Sequence, residues 1–378
     1  MTIISFLRQA LPHRHPLRLG WHKGKAIFAA LLYRFPARHL TIIGITGTDG
    51  KTTTVGMVAH ILDHAHIRSG ALSTAFFKIR DDIQWNATQK TSPSPFQIQK
   101  FLRQCAQQGC THVVLEYSSH GLVQGRLNFT WPQVAAITNI TSEHLDYHGT
   151  LEEYRKDKEK IFKMVRIGGT IIRDSRLKIG DAKISLKIPG EFNQENARVA
   201  IACTEAIGIS REVAIEALKT FTGIPGRMEL IRKEPFSVFI DFTVTPAAYQ
   251  KTLSATRNML QSGKRLLVLT GSCGDRMKEK RPQVGKICGE CADIVVVTNE
   301  DPYTEDPKKI IDEVWAGIDR SQCEAYRIPN RKEAMQFLLQ EAKPGDIVLI
   351  CGKGSDTTMW TKTGQAPWNE REIVRNML

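Results

Sequence analysis

No acidic residue occurs before Asp49, although Arg8, Arg14, Arg18, Lys23, Lys25, Arg34 and Arg38 all fall in that stretch. Residues 1–40 therefore form a short basic segment, suited either to a solvated helix or to phosphates or an anionic membrane surface. Bilayer-length apolar runs are also missing. The longest, Ala26 to Tyr33, falls far short of the roughly 20 residues required and runs into Arg34 and Pro36. The opening MTIISFLRQALPHRHPLRL is broken by Arg8, Pro12, Arg14 and Pro16 before any small-residue cleavage site, which disfavours a secretory signal and makes a cytoplasmic location the expectation. Paired cysteines are scarce. Of Cys105, Cys110, Cys203, Cys273, Cys288, Cys291, Cys323 and Cys351, only Cys288 and Cys291 form a C-x-x-C pair. They lie in VGKICGECADIVVV, a helix-to-strand pattern without the second pair or histidines of a zinc site, so helix packing is expected there. Aromatic residues are 7% of the chain and do not interleave with the basic runs, so no nucleic-acid partner is expected.

What is present is an ordinary globular composition, 42% hydrophobic and 24% charged over 378 residues, with a net charge of +13. That length exceeds what one core usually organises, and two folded domains are expected. Short apolar runs (TIIGITG, HVVLEYSS at 112–119, VAAITNI at 134–140, GGTIIRDS at 168–175) alternate with helix-like stretches, and the pattern restarts after Pro225 with SVFIDF, RLLVLTGS, DIVVVTNE and DIVLICGK. Such alternation predicts an α/β protein. We expect a central P-loop domain with a parallel sheet over 41–226 and a Rossmann-like α/β domain over 227–378, hinged around Pro225 to Arg227.

The strongest chemical signal is GITGTDGKTTT, Gly44 to Thr54, between the strand-like TIIGIT and the helix-like VGMVAHILDHA. Backbone N–H groups of a glycine turn at a helix N-terminus wrap phosphate oxygens, Lys51 adds a point charge, and the Thr52 hydroxyl is placed to ligate Mg²⁺. Gly47, Thr48, Asp49, Gly50, Lys51, Thr52 and Thr53 are thus candidates to bind a nucleoside triphosphate. The strict Walker spacing is not met, because Ile45 stands where its first glycine belongs.

This variant loop resembles that of the Mur ligase superfamily, ATP-dependent enzymes that join amino acids to carboxylates. Further segments are similar in family order: VVLEYSSHGLVQGR, TNITSEHLDYHGTLEEYRKDKEKIF, GEFNQENARVA, IPGRME, SCGDRMKEKRP, NEDPYTEDP and GDIVLICGKGSD. Together they cover almost everything from residue 41 onward, and they look most like the MurE, or muramoyl-tripeptide synthetase, branch.

The resemblance implies ATP and two Mg²⁺ ions as cofactors, the metal residues being Thr52, Glu116, His144 and a carbamylated Lys158. Lys51, Glu116, His144 and Lys158 are the implied catalytic set. Spacing alone would leave Lys158 a surface lysine and His144 a structural histidine. Asn193, Asn196, Arg227 and Asp241 are implied at the nucleotide. Thr91, Ser92, Ser118, Ser119 and Arg126 are implied at a muramoyl-peptide or related carboxylate acceptor. Arg276, Asn299, Asp301, Tyr303, Gly352 and Asp356 are implied at the free amino acid that is added.

Departures from the pattern matter. DFTVTP replaces D-Y-A-H-T-P, with Phe242 and Val244 in place of Tyr and His. Asp301-Pro302-Tyr303 replaces the D-N-P-R stretch whose arginine grips the second carboxylate of meso-diaminopimelate, which disfavours that amino acid against lysine, ornithine or a smaller one. About forty residues precede the phosphate loop, where the family carries a domain for the uridine nucleotide, so a short form is expected; separately, a monomer is expected. Two other readings stay open: a ligase acting on another acceptor, like poly-γ-glutamate synthetase or MurT, and a catalytically silent nucleotide-binding scaffold.

Overall fold

The structure, a computed structural model, describes residues 12–88, 90–173 and 184–378. Residues 1–11, with Arg8, and the last two residues of the 168–175 run lie outside them. The chain divides into two compact units: Met1–Ser185 with Glu195–Phe221, and Leu186–Gln194 with Thr222–Leu378.

The first unit is built on seven strands, β1 (Thr41–Thr46), β2 (Ser69–Leu72), β3 (Phe76–Ile79), β4 (Asp82–Trp85), β5 (His112–Glu116), β6 (Val134–Ile137) and β7 (Thr170–Ile172), in the order β4-β3-β2-β5-β1-β6-β7. The runs IIGIT, VVLE and VAAI are buried along their whole length, as strands covered on both faces by helices must be. From β2 to β7 all neighbours are parallel, but β2, β3 and β4 form an antiparallel meander. The sheet is parallel-dominated, as expected, with an antiparallel edge. The physical reason is connection length: the few residues from Ser73 to Ala75 allow only a hairpin, since a parallel crossover needs a dozen or more. Register sets the site. Ile45 at the end of β1 pairs with Glu116 on one side and Ala136 on the other, so the loop after β1 opens between the ends of β5 and β6. Ligands of open α/β sheets bind at such carboxyl ends, where neighbouring connections diverge.

The second unit carries β8 (Glu229–Arg232), β9 (Ser237–Asp241), β10 (Leu266–Thr270), β11 (Ile294–Val297), β12 (Glu324–Arg327) and β13 (Ile347–Cys351), in the order β12-β11-β10-β13-β9-β8, parallel except for β8 against β9. Alternate residues face opposite cores. Val268, Val295, Val297, Leu349 and Cys351 pack with Tyr249, Leu253, Cys288 and Val314, whereas Leu267, Leu269, Val296, Val348 and Ile350 pack with Met335, Leu338 and Val374. Cys288 is thus a core residue, Cys291 packs beside it, and the cysteines are free thiols. A short hairpin of β14 (Thr358–Thr361) and β15 (Gly364–Pro367) follows. Among the described residues no helix is long and apolar enough to cross a membrane.

Buried cations in this unit are matched by carboxylates. Arg281, fully buried, meets Glu305 at 2.8 Å and Glu313 at 2.6 Å, and Arg331 meets Glu370 at 2.7 Å. The bond from Arg281 pulls the Glu305 carboxyl from 4.5 down to about 2. Because the folded value lies below the unfolded one, ionised Glu305 stabilises the fold above about pH 4.5, and that contribution fades as pH falls toward 2. In urea unfolding, Glu305→Gln should therefore be destabilised at neutral pH, with the gap to wild type closing between those two pH values. A gap that stays constant across that window would contradict the pairing.

Candidate functional site: a phosphate loop joined to a buried carboxylate

Strand β1 runs straight into Gly47–Gly50, and the helix Lys51–His64 begins immediately after. Gly47 has φ 150° and Gly50 φ 78°. A Cβ on Gly47 would sit 1.9 Å from Thr138 Oγ1, and one on Gly50 would sit 2.1 Å from Asn196 Oδ1. The loop is pinned by the segment after β6. Thr48 N–H donates to the Asn139 carbonyl (2.8 Å), Asp49 N–H to Asn139 Oδ1 (2.9 Å), and Thr138 Oγ1 to the Asp49 carbonyl (2.7 Å). With the loop carbonyls held this way, the first N–H groups of the helix, which have no intrahelical acceptor, form an anion cradle. Lys51 Nζ rests on the Thr48 carbonyl at 2.6 Å.

Glu116, 1% exposed at the end of β5, joins this loop to the other side of the site. Its Oε2 accepts from Thr52 Oγ1 at 3.0 Å and from Thr74 N–H at 2.7 Å, and Thr74 Oγ1 lies 2.9 Å from both Glu116 Oε1 and Thr91 Oγ1. Beside it, Ser92 Oγ accepts from Ser118 N–H (2.9 Å) and donates to the Glu116 carbonyl (3.3 Å), while Arg126 donates to the Ser92 carbonyl (2.7 Å) and is braced by Gln124. Thr91, Ser92, Ser118 and Arg126 therefore form one hydrogen-bonded network with Glu116. Thr74 was not singled out from sequence. It sits between β2 and β3 with no motif to mark it.

Lys158 is not a surface lysine. It is 2% exposed, donates to the Gly47 carbonyl at 2.5 Å, and lies 4.6 Å over the Tyr154 ring, whose hydroxyl is 3.3 Å from Thr48 Oγ1. Burial, and then repulsion from Lys51, push its pKa well below the ordinary lysine value against the attraction of Asp49, Glu116 and Glu143. His144 lies at the start of the short helix Leu145–His148 with φ 55°, and its ring meets His120 edge-on at 4.9 Å. A second histidine escaped the sequence reading. His148 Nδ1 lies 2.6 Å from Asp157 Oδ2 and its Nε2 3.0 Å from Ser119 Oγ, and Asp157 also meets Arg14 at 3.0 Å, so Ser119 is held by a buried chain of polar groups.

Thr52 hydroxyl and Glu116 carboxylate oxygens are the hard donors that Mg²⁺ prefers, and they adjoin the cradle, so the residues present fit that ion. Among the described residues no three His, Cys, Asp or Glu side chains form a metal-holding group. An ion here takes its remaining oxygens from elsewhere, such as nucleotide phosphates.

In the first unit Asn196 lies against Gly50, whereas Asn193 in the second donates to the Pro189 carbonyl at 2.6 Å. Asp241 is buried, accepts from Met228 N–H (2.7 Å) and from Thr243, and is raised by burial. Arg227 lies 4.2 Å over the Phe242 ring and donates to Ser355 Oγ at 3.1 Å. Arg276 donates to the Asp275 carbonyl and faces the Tyr303 ring at 5.1 Å, which in turn lies 5.2 Å from Trp360. Asp301 is buried: Lys353 Nζ donates to one oxygen at 2.8 Å and Trp360 N–H to the other at 2.8 Å, and Lys353 also bonds Asp356 at 2.9 Å. Gly352, φ 108°, is required by Glu300, whose Oε2 would lie 2.4 Å from a Cβ. Asn299 offers its carbonyl to Arg331 at 3.4 Å.

Family models match both halves of the chain. Residues 45–175 match the Mur ligase middle domain and residues 226–354 the Mur ligase glutamate ligase domain. The chain is 32% identical to the UDP-N-acetylmuramyl-tripeptide synthetase of Roseiflexus sp. (strain RS-1), covering 93% of this chain and 81% of that protein. It is also 32% identical to a UDP-N-acetylmuramoyl-L-alanyl-D-glutamate–2,6-diaminopimelate ligase of Alkaliphilus metalliredigens (strain QYMF), over 88% and 76% of the two chains. A solved structure of a ligase of that same name superposes with a TM-score of 0.58 at 28% identity, covering 89% of this chain and 78% of that one.

The cradle itself is testable by one methyl group. Gly50→Ala combines left-handed strain with the collision at Asn196, and calorimetry should show nucleotide affinity falling by more than about tenfold. Gly20→Ala, where a Cβ meets nothing within 4 Å, should leave affinity unchanged. Equal affinities for the two variants would remove the loop from the binding site.

Proposed function

This chain belongs to the Mur ligase family, whose members are ATP-dependent amide ligases, and we propose that it adds an amino acid to a muramoyl-peptide carboxylate through an acyl phosphate. The observation that carries this reading is Glu116. Its buried carboxylate binds Thr52 of the phosphate loop and, through Thr74, reaches Thr91, while its backbone carbonyl accepts from Ser92, which holds Ser118; Thr91, Ser92 and Ser118 are groups expected at the acceptor.

The chemistry demands such an arrangement. An acceptor carboxylate oxygen attacks the γ-phosphorus of ATP, ADP leaves, and the amine of the amino acid then displaces phosphate from the acyl carbon, losing a proton. Two anions must approach, so the protein's task is placement and positive charge. The cradle N–H groups and Lys51 hold the phosphates, while Arg126, backed by Ser92 and Gln124, steers the carboxylate. Thr52 and Glu116 would hold a Mg²⁺ ion, and His144 with a carbamate on Lys158 a second, which would supply further neutralisation. The low pKa of buried Lys158 supports the carbamate, since carbon dioxide bonds only to a neutral amine, with loss of its proton.

For the incoming amino acid we propose a substrate without a second side-chain carboxylate, such as lysine, ornithine or a smaller residue. Tyr303 stands where a gripping arginine is expected, and the nearby buried cation Lys353 is already bonded to Asp301 and Asp356. Another carboxylate beside that cluster would be left uncompensated.

Phosphate release from ATP with Mg²⁺ and bicarbonate, across amino acids and acceptors, tests the whole reading. Release should require a muramoyl dipeptide plus one such amino acid and give a product of matching mass. Turnover only with glutamate oligomers would overturn the acceptor, turnover with meso-diaminopimelate the amino acid, and ATP binding without turnover the ligase reading itself. Lys158→Ala should slow release by about a hundredfold.

A further inference from the structure

The helix Pro16–Leu32 wears its amphipathic pattern inside out. Its buried residues are Ala26, Ala29 and Ala30, a small-residue face that packs beside the helix Pro95–Gln107. Leu17, Trp21, Phe28, Leu31 and Leu32 are each more than half exposed. Their spacings of four, seven, three and one residues bring them onto one stripe of a helix turning 100° per residue. Gly20 and Gly24 fall between them on that stripe, and a Cβ at either would meet nothing within 4 Å. Single exposed leucines are ordinary on a protein surface, but a contiguous stripe of Leu, Trp and Phe marks an interaction face.

Charge decides what the stripe meets. Arg18 and Lys25 flank it on one side and Lys23 on the other, and Lys25 Nζ lies 5.9 Å over the Trp21 ring. Exposed Arg34 and Arg38 follow the helix, and no acidic residue lies anywhere from residue 12 to residue 48. Such a one-signed rim suits an anionic bilayer: apolar rings enter the headgroup boundary and long basic side chains reach back to the phosphates. At 17 residues with charges on both flanks, the helix lies in the interface plane and does not cross it.

We propose that this face docks the protein onto an anionic lipid bilayer. The contact is independent of which amino acid or acceptor the ligase uses. The test is sedimentation of the full chain with vesicles of phosphatidylcholine alone or mixed with phosphatidylglycerol. Binding should appear with the mixed vesicles and weaken as salt rises. Trp21→Ser combined with Phe28→Ser should reduce partitioning by more than about tenfold, and Lys23→Glu combined with Lys25→Glu should abolish the preference for the anionic lipid. ATP affinity in both variants should match wild type, which excludes misfolding as the cause. Absence of binding to the mixed vesicles, or binding that Trp21→Ser with Phe28→Ser leaves intact, overturns the proposal. A wild-type dimer that the same pair of substitutions converts to monomer, without vesicle binding, assigns the face to a second copy of the chain instead.

Discussion

A carboxylate removed from water must be given partners, and the arrangement of the first unit follows from how Glu116 finds them. Its oxygens accept from a helix-start threonine, Thr52, and from the backbone and hydroxyl of Thr74 across the sheet end. Leaving such a group unsatisfied costs more than most single packing contacts contribute. The phosphate loop and the β2–β3 turn are therefore locked together by one side chain, and Ser92, bonded to the Glu116 backbone carbonyl, ties Ser118 to the same residue. On the proposed reading, this preorganises the site for a reaction in which two negative groups meet.

Lys158 is the complement of that anion. Its helix, Leu151–Glu159, is highly charged and reads as a solvated surface, yet this one lysine turns inward to the Gly47 carbonyl. Burial next to Lys51 makes the ammonium form expensive and pushes the pKa of this amine well below the ordinary lysine value.

Much of this was legible in the residues. Doubly buried strands appear as unbroken apolar runs, the loop announces itself by glycines beside Lys51 and Thr52, and the two α/β patterns are separate along the chain. What was not legible shares a cause: it depends on neighbours distant in sequence. Thr74, Asn139 and His148 carry no local signature, and each earns its place by a bond to Glu116, Asp49 or Asp157 that only the folded sheet creates. Asp301 is a further case: its motif marks the position, but its bonds to Lys353 and the Trp360 backbone come from residues distant in sequence.

The contact between Gly47 and Thr138 constrains how such a chain is able to vary through descent. Gly47 cannot gain a side chain while the Thr138 hydroxyl stands in its space, and Thr138 cannot shrink to make room without releasing the Asp49 carbonyl it bonds. Neither position has a neutral first step, so a lineage inherits the two residues as one character although they lie on different strand ends.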